Sequence, residues 1–193
     1  MTRYNSIAVF MFLTFANPAL FGQANTIYDL QSKWDSVVRT NNFEPNGAFQ
    51  FVTADPELPD VLIIGTSISI GYTSNVRKIL EGKANVYRIP QNGGHTRTML
   101  DNKEAWFPGK KWDVIHFNFG LHDLKYVIGN ALDLDGEQPV PIEQYKVNLD
   151  MIVPILTGAL KKDGKLIFAT TSVIPYSARG RIKGDEVAYN VAA

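Results

Sequence analysis

The chain contains no cysteine, which excludes disulfides and thiolate metal sites. Its three histidines (His95, His116 and His122) form no His-x-His pair, and no carboxylate cluster has metal-ligand spacing. No metal and no cofactor are therefore expected. Neither sign of charge is in excess: Lys plus Arg and Asp plus Glu both number 19, so nothing in the balance points to nucleic acid or an acidic partner. Internal repeats and low-complexity tracts are lacking too. What is present is ordinary for a soluble protein: 193 residues, 45% hydrophobic and 20% charged, enough for one domain with a proper core.

The N-terminus bears on the compartment. Arg3 precedes the apolar run Ile7–Ala16, which is too short to span a bilayer comfortably. Pro18 follows, and Gly22-Gln23-Ala24 places small residues where a signal peptidase reads them. The alternatives are a buried N-terminal helix or a membrane anchor. A cleaved export signal over residues 1–24 is the expectation, with a secreted or periplasmic protein and no stable membrane anchor. Its removal takes away Arg3 and leaves the mature chain slightly acidic.

Residues 25–60 read as a preamble, with a helix over Thr26–Val38 burying Leu30, Trp34 and Val37 or Val38. Asn41-Asn42, Pro45-Asn46-Gly47, Pro56 and Pro59 mark loops. From residue 61 to 193 a β/α rhythm takes over. Val61–Ser67 reads as a strand buried on both faces, followed by a helix to about Leu80 burying Val76, Ile79 and Leu80. Asn85–Pro90 and Asp113–Gly120 are the next strands. A helix over Ile142–Leu160 repeats Ile142, Tyr145, Leu149, Ile152 and Leu156, with Pro141 at its start and a kink expected at Pro154. Asp163-Gly164 turns into a fourth strand, Lys165–Ser172. The segment Gly129–Pro141 is a polar insertion; its Asp133-Leu134-Asp135-Gly136-Glu137 run is short for a calcium loop and reads as a solvated loop. Strands alternating with helices imply right-handed crossovers and a doubly wound parallel sheet.

Three strand ends carry unusual residues: Gly65-Thr66-Ser67, the Pro90-Gln91-Asn92-Gly93-Gly94-His95-Thr96 loop, and Phe119-Gly120-Leu121-His122-Asp123. In a parallel sheet all three lie at the carboxyl edge, where open α/β folds bind ligands. A hydroxyl, a glycine-rich loop with free N–H groups and a side-chain donor there are the equipment of ester hydrolysis. The competing reading of Ser67 or Ser69 is a helix cap.

Spacing and residue type together resemble the SGNH (GDSL-like) hydrolase family from about Pro59 to the last residue. Gly65-Thr66-Ser67 resembles its Gly-Asp-Ser block, with Thr66 in place of Asp. Gly94 resembles its glycine block. Gly120-Leu121-His122-Asp123 resembles its Gly-x-Asn-Asp block, with His122 in place of Asn. The resemblance implies a three-layer α/β/α sandwich with a flavodoxin-like parallel sheet. It implies Ser67 as nucleophile and the N–H groups of Ser67 and Gly94 as oxyanion hole, with His122 as third donor, a role that a neutral imidazole can fill. Asp123 is expected to hold its loop. The family's late Asp-x-x-His has no counterpart after the fourth strand. The expectation is a chain that stops short of its last strand and helix, leaves Leu166–Ala169 as an exposed apolar edge, and is inactive or very weak as written.

His122 is also a candidate base for Ser67, since the strands preceding them are neighbours in a flavodoxin-like order; that role needs a direct hydrogen bond. His116, mid-strand, reads as a hydrogen-bonded core histidine, and His95 as a solvent-facing loop residue. The function implied is an exported serine esterase acting on carboxylic esters, with acetyl groups on carbohydrate the favoured substrate. The alternatives are a non-catalytic glycan-binding module and, third, a Rossmann-like methyltransferase. Against the last, the first strand lacks a Gly-x-Gly-x-Gly turn.

Overall fold

The computed structural model describes residues 26–193; the export signal expected over residues 1–24 lies outside them. Its strands are β1 (Asp60–Ile64), β2 (Asn85–Arg88), β3 (Trp112–Phe117), the short pair β4 (Val127–Ile128) and β5 (Ala131–Leu132), and β6 (Leu160–Phe168). Its helices are α1 (Gln31–Thr40), α2 (Ser67–Ile79), α3 (Thr96–Trp106), α4 (Ile142–Gly158) and α5 (Asp185–Ala192). The main sheet is wholly parallel, in the order β2-β1-β3-β6. With β1 between β2 and β3, this is the flavodoxin-like order rather than the 3-2-1-4 of a Rossmann sheet.

Alternation along the strands divides the sheet into two unlike faces. Register places Leu62 beside Tyr87 and Ile115, and Phe117 between Ile64 and Phe168. These belong to one core with Met99 and Trp106 of α3 and Tyr145, Ile152 and Leu156 of α4. The opposite face carries Ile63, Val86, Arg88 and His116 and is covered by α2. On it, the Arg77 side chain donates to the Val86 carbonyl, and Tyr72 lies edge-on to His116. Helices on both faces make three layers.

The inward stripe of α2 differs from the expected one. It runs Ser69, Thr73, Val76 and Leu80, while Ile79 is 70% exposed. The helical period is correct, but its first two positions are small hydroxyl residues because the Arg88 guanidinium lies beneath them. Both hydroxyls are satisfied within the helix, Ser69 donating to Thr66 O at 2.7 Å and Thr73 to Ser69 O at 2.6 Å. In α4, Pro154 sits on the exposed face of one continuous helix, where the backbone donor it lacks is least costly.

β6 begins earlier and ends sooner than expected. Leu160 pairs with Trp112, the chain bulges around Asp163 (φ 69°), and Lys165–Phe168 then pair with Val114–Phe117. β6 is an edge strand, and its Ile167 is 46% exposed. The insertion folds on itself, with β4 antiparallel to β5 and Val127 bridged to Glu137. Asp133 Oδ1 accepts the Asp135 N–H at 3.0 Å, so this carboxylate serves a turn.

The preamble is part of the core. Tyr28, Trp34, Val38 and Phe49 are buried, and Tyr28 packs edge-on against Tyr87 and Trp112. The Trp34 indole N–H donates to Phe49 O at 2.6 Å. Truncation of such a side chain costs about 3–5 kcal/mol. Trp34→Ala is therefore expected to lower the free energy of unfolding by that amount in a denaturant titration, a loss that a loosely tethered preamble would not produce.

Candidate active site

β1 ends at Ile64, and Gly65-Thr66 lead directly into α2, whose first residue is Ser67. Thr66 occupies the N-cap position but its side chain makes no capping bond, and Ser69 bonds back to Thr66 O. Neither serine caps the helix. Ser67 is exposed, and its hydroxyl has no hydrogen-bond partner among the described residues. Its N–H belongs to the first turn, where backbone donors lack intrahelical partners and the helix dipole favours negative charge.

Packing forces the glycine loop against this turn. Gly93 N–H donates to Gly65 O at 2.9 Å. A Cβ on Gly93 would stand 2.8 Å from that oxygen, so no larger residue fits without a shift. Gly94 holds φ +62°, a left-handed conformation natural to glycine, and its N–H donates to Asn92 Oδ1 at 3.0 Å. His95 follows as the N-cap of α3, half-buried rather than facing solvent. Its Nδ1 accepts the Thr98 N–H at 3.2 Å, which puts the ring proton of the neutral form on Nε2.

The third loop is tied to the second by one carboxylate. Asp123, fully buried, accepts from Thr96 N–H at 2.8 Å, Thr96 Oγ1 at 2.6 Å and Gly120 N–H at 3.0 Å. Asn148 of α4 donates to Thr96 Oγ1 at 2.8 Å. Burial pushes the Asp123 carboxyl up to about 6 against the opposing pull of these donors. Beyond β3, Asn118 Nδ2 donates to Ala169 O at 2.6 Å, which ties the ends of β3 and β6. Gly120 has φ +136°, and a Cβ there would collide with Thr171 Oγ1.

His122 lies in this loop, mostly buried, with no hydrogen bond to any described residue. Burial, then the positive charges of Lys125 and Arg181, lower its pKa to about 4. The ring is neutral at pH 7, so it offers an N–H donor but is a weak base. No hydrogen bond joins Ser67 to any histidine among the described residues. His116 is not the satisfied core histidine expected, because its buried Nδ1 lacks a partner. Among the described residues no group of three or more His, Asp or Glu could hold a metal ion. No helix among them is long and apolar enough to cross a membrane.

Sequence reasoning missed Arg88, although a charge between Val86-Tyr87 and Ile89 in a short strand was a signal. Its guanidinium is fully buried, over the Phe49 ring at 4.4 Å. It donates to Ile89 O at 3.1 Å, Gln91 O at 3.2 Å and Ser69 Oγ at 3.4 Å. Desolvation lowers its pKa to about 10, so it remains charged at neutral pH. Arg88 thus braces both the Ser67 turn and the start of the glycine loop from behind. A cleft of about 450 Å³ among Asp60, Lys110 and Lys161 opens at the opposite, amino edge of the sheet. Its cations are already paired, Lys110 with Asp60 at 3.0 Å and Lys161 with Asp113 at 2.6 Å.

No protein-family model matches this chain, and no curated protein matches it in sequence. Solved structures share its fold. An acetyl xylan esterase superposes with a TM-score of 0.52 at 15% identity, covering 69% of this chain and 69% of that one. A candidate acylhydrolase from Bacteroides fragilis superposes with a TM-score of 0.52 at 12% identity, covering 86% of this chain and 68% of that one. The α/β fold, a four-stranded parallel sheet flanked by helices, is one that esterases and acylhydrolases use.

Two outcomes follow from the site's electrostatics. Asp123→Ala leaves three buried donors without their acceptor and is expected to cost about 3 kcal/mol, read by chemical denaturation. The His122 ring is expected to stay neutral down to about pH 5 in an NMR titration. A folded pKa depressed below the usual value of about 6.5 means that His122 contributes stability present above pH 6.5 and lost as pH falls toward 4. Titration near 6.5 would contradict that placement.

Proposed function

We propose that this protein is an exported serine esterase of the SGNH type that hydrolyses carboxylic esters, with acetyl groups on carbohydrate as substrate. The observation that carries the reading is an exposed, unpartnered Ser67 hydroxyl on the first residue of α2, at the carboxyl edge of a parallel sheet. Ser67 Oγ attacks the ester carbonyl and forms an acyl-enzyme as the alcohol leaves, and water then releases the acid and restores the hydroxyl. The oxyanion meets the Ser67 N–H at the positive end of α2. The Gly94 N–H passes to it from Asn92 Oδ1, and neutral His122 supplies the third donor. Donors of this kind are each worth about 10²–10³ in kcat in well-studied cases.

The base is the weak member. With no histidine hydrogen-bonded to Ser67, turnover is expected to be slow, since loss of one triad member leaves about 10³–10⁴-fold acceleration over water in studied systems. The same observation favours a second reading, a non-catalytic glycan-binding module with the loops of this edge as its binding surface. The two are separated by assaying the full chain and Ser67→Ala on p-nitrophenyl acetate and on acetylated xylo-oligosaccharides. The esterase reading expects slow turnover that Ser67→Ala abolishes. Turnover unchanged by the substitution contradicts it; glycan binding without turnover, indifferent to Ser67, establishes the module.

A further inference from the structure

The chain is neutral overall, yet Ser177–Lys183 carries Arg179, Arg181 and Lys183 with no acidic residue among them. Backbone pairing holds this segment against the His122 loop. Tyr126 N–H donates to Gly180 O at 2.7 Å, and Arg181 Nε donates to Leu121 O at 2.9 Å. Lys125 stands in the same loop, and Arg97 lies in the first turn of α3 beside His95. The charges of Lys125 and Arg181 act on His122, and those of Arg97 and Lys125 on His95.

Cations from three separate segments therefore converge on one end of the sheet. Glu186 acts on Lys183, but carboxylates offset Arg97, Lys125 and Arg181 only in part. Asp123 is buried and committed to Thr96 and Gly120, and Asp185 accepts from Tyr126 and Gln138. Asp101 also acts on His95, but no salt bridge joins Arg97, Lys125 or Arg181 to a carboxylate among the described residues. The contrast with the opposite edge is plain, since Lys110 and Lys161 there are paired. Arg181 uses Nε and Nη1 on backbone carbonyls, which fixes the plane of its guanidinium and leaves Nη2 without a partner. A pre-oriented guanidinium beside a lysine is suited to a carboxylate, and an unneutralised cationic rim draws anionic ligands from solution.

We propose that the ester accepted at this edge is carried on an acidic carbohydrate, whose sugar carboxylate pairs with Arg181 and Lys125 beside His122. The proposal rests on the esterase reading for the ester, while its charge preference is measured by binding alone. The full chain is titrated calorimetrically with O-acetylated trigalacturonate and with acetylated xylotriose, at low and at high salt. The acidic trimer is expected to bind about tenfold tighter at low salt, with the difference shrinking as salt rises.

Lys125→Met is expected to reduce the preference and the Arg181→Met/Lys125→Met pair to remove it, with the circular dichroism spectrum retained. Equal affinity for the two sugars, no binding of either, or a preference that survives in the double variant would overturn the proposal. Tighter binding to phosphatidylserine vesicles than to the acidic trimer would overturn it too, and assign the patch to a membrane surface. Ser67→Ala is expected to keep the preference. Absent turnover together with that preference leaves the charge recognition standing and removes only the esterase reading.

Discussion

One buried carboxylate sets the relation between the two loops that matter most. Thr96 opens α3 immediately after Gly93-Gly94-His95, and Gly120 lies in the loop after β3, two residues before His122. Asp123 accepts donors from both, and so fixes the glycine loop against the His122 loop. Asn148 extends the tie to α4 through Thr96 Oγ1. Buried polar groups are costly unless paired, and here the donors converge on one residue, so the arrangement has little freedom to relax.

A second strap acts from behind. Arg88 reaches Ser69 in the turn after β1 and Gln91 at the start of the glycine loop, and it lies against the Phe49 ring. A buried guanidinium facing no carboxylate is expensive, and carbonyl acceptors together with an aromatic face offset part of that cost. The close contact of Gly93 with Gly65 O completes the assembly. All this bonding lies behind or beneath the edge. At the edge itself the Ser67 hydroxyl and the His122 ring make no hydrogen bond to a described residue.

Much of this was legible in the sequence. Apolar runs ending in small residues marked three strands and their order of use, and the spacing of Tyr145, Leu149, Ile152 and Leu156 marked the inner face of α4. The role of Asp123 followed from its place in a short block. The inward stripe of α2 was not legible, because Ser69 and Thr73 bury through bonds to their own helix and an arginine three-dimensionally beneath them, not through hydrophobicity. Arg88 left a signal, a charge inside a short apolar strand, but the Ser69 hydroxyl and the Phe49 ring that help hold it come from other segments. Asn118 and Thr171 act across strand ends some fifty residues apart, on the backbone and on glycine space, and local pattern carries no trace of that. The cationic rim was masked by a net charge of zero, since a balanced total conceals segregation.

Ser67 is the residue proposed here as the reactive group of this fold. The most direct measurement is to expose the full chain to a fluorophosphonate and map the adduct by peptide mass spectrometry. Slow modification confined to Ser67 is expected. Modification at Ser69 or another hydroxyl, or none after prolonged exposure, would contradict it.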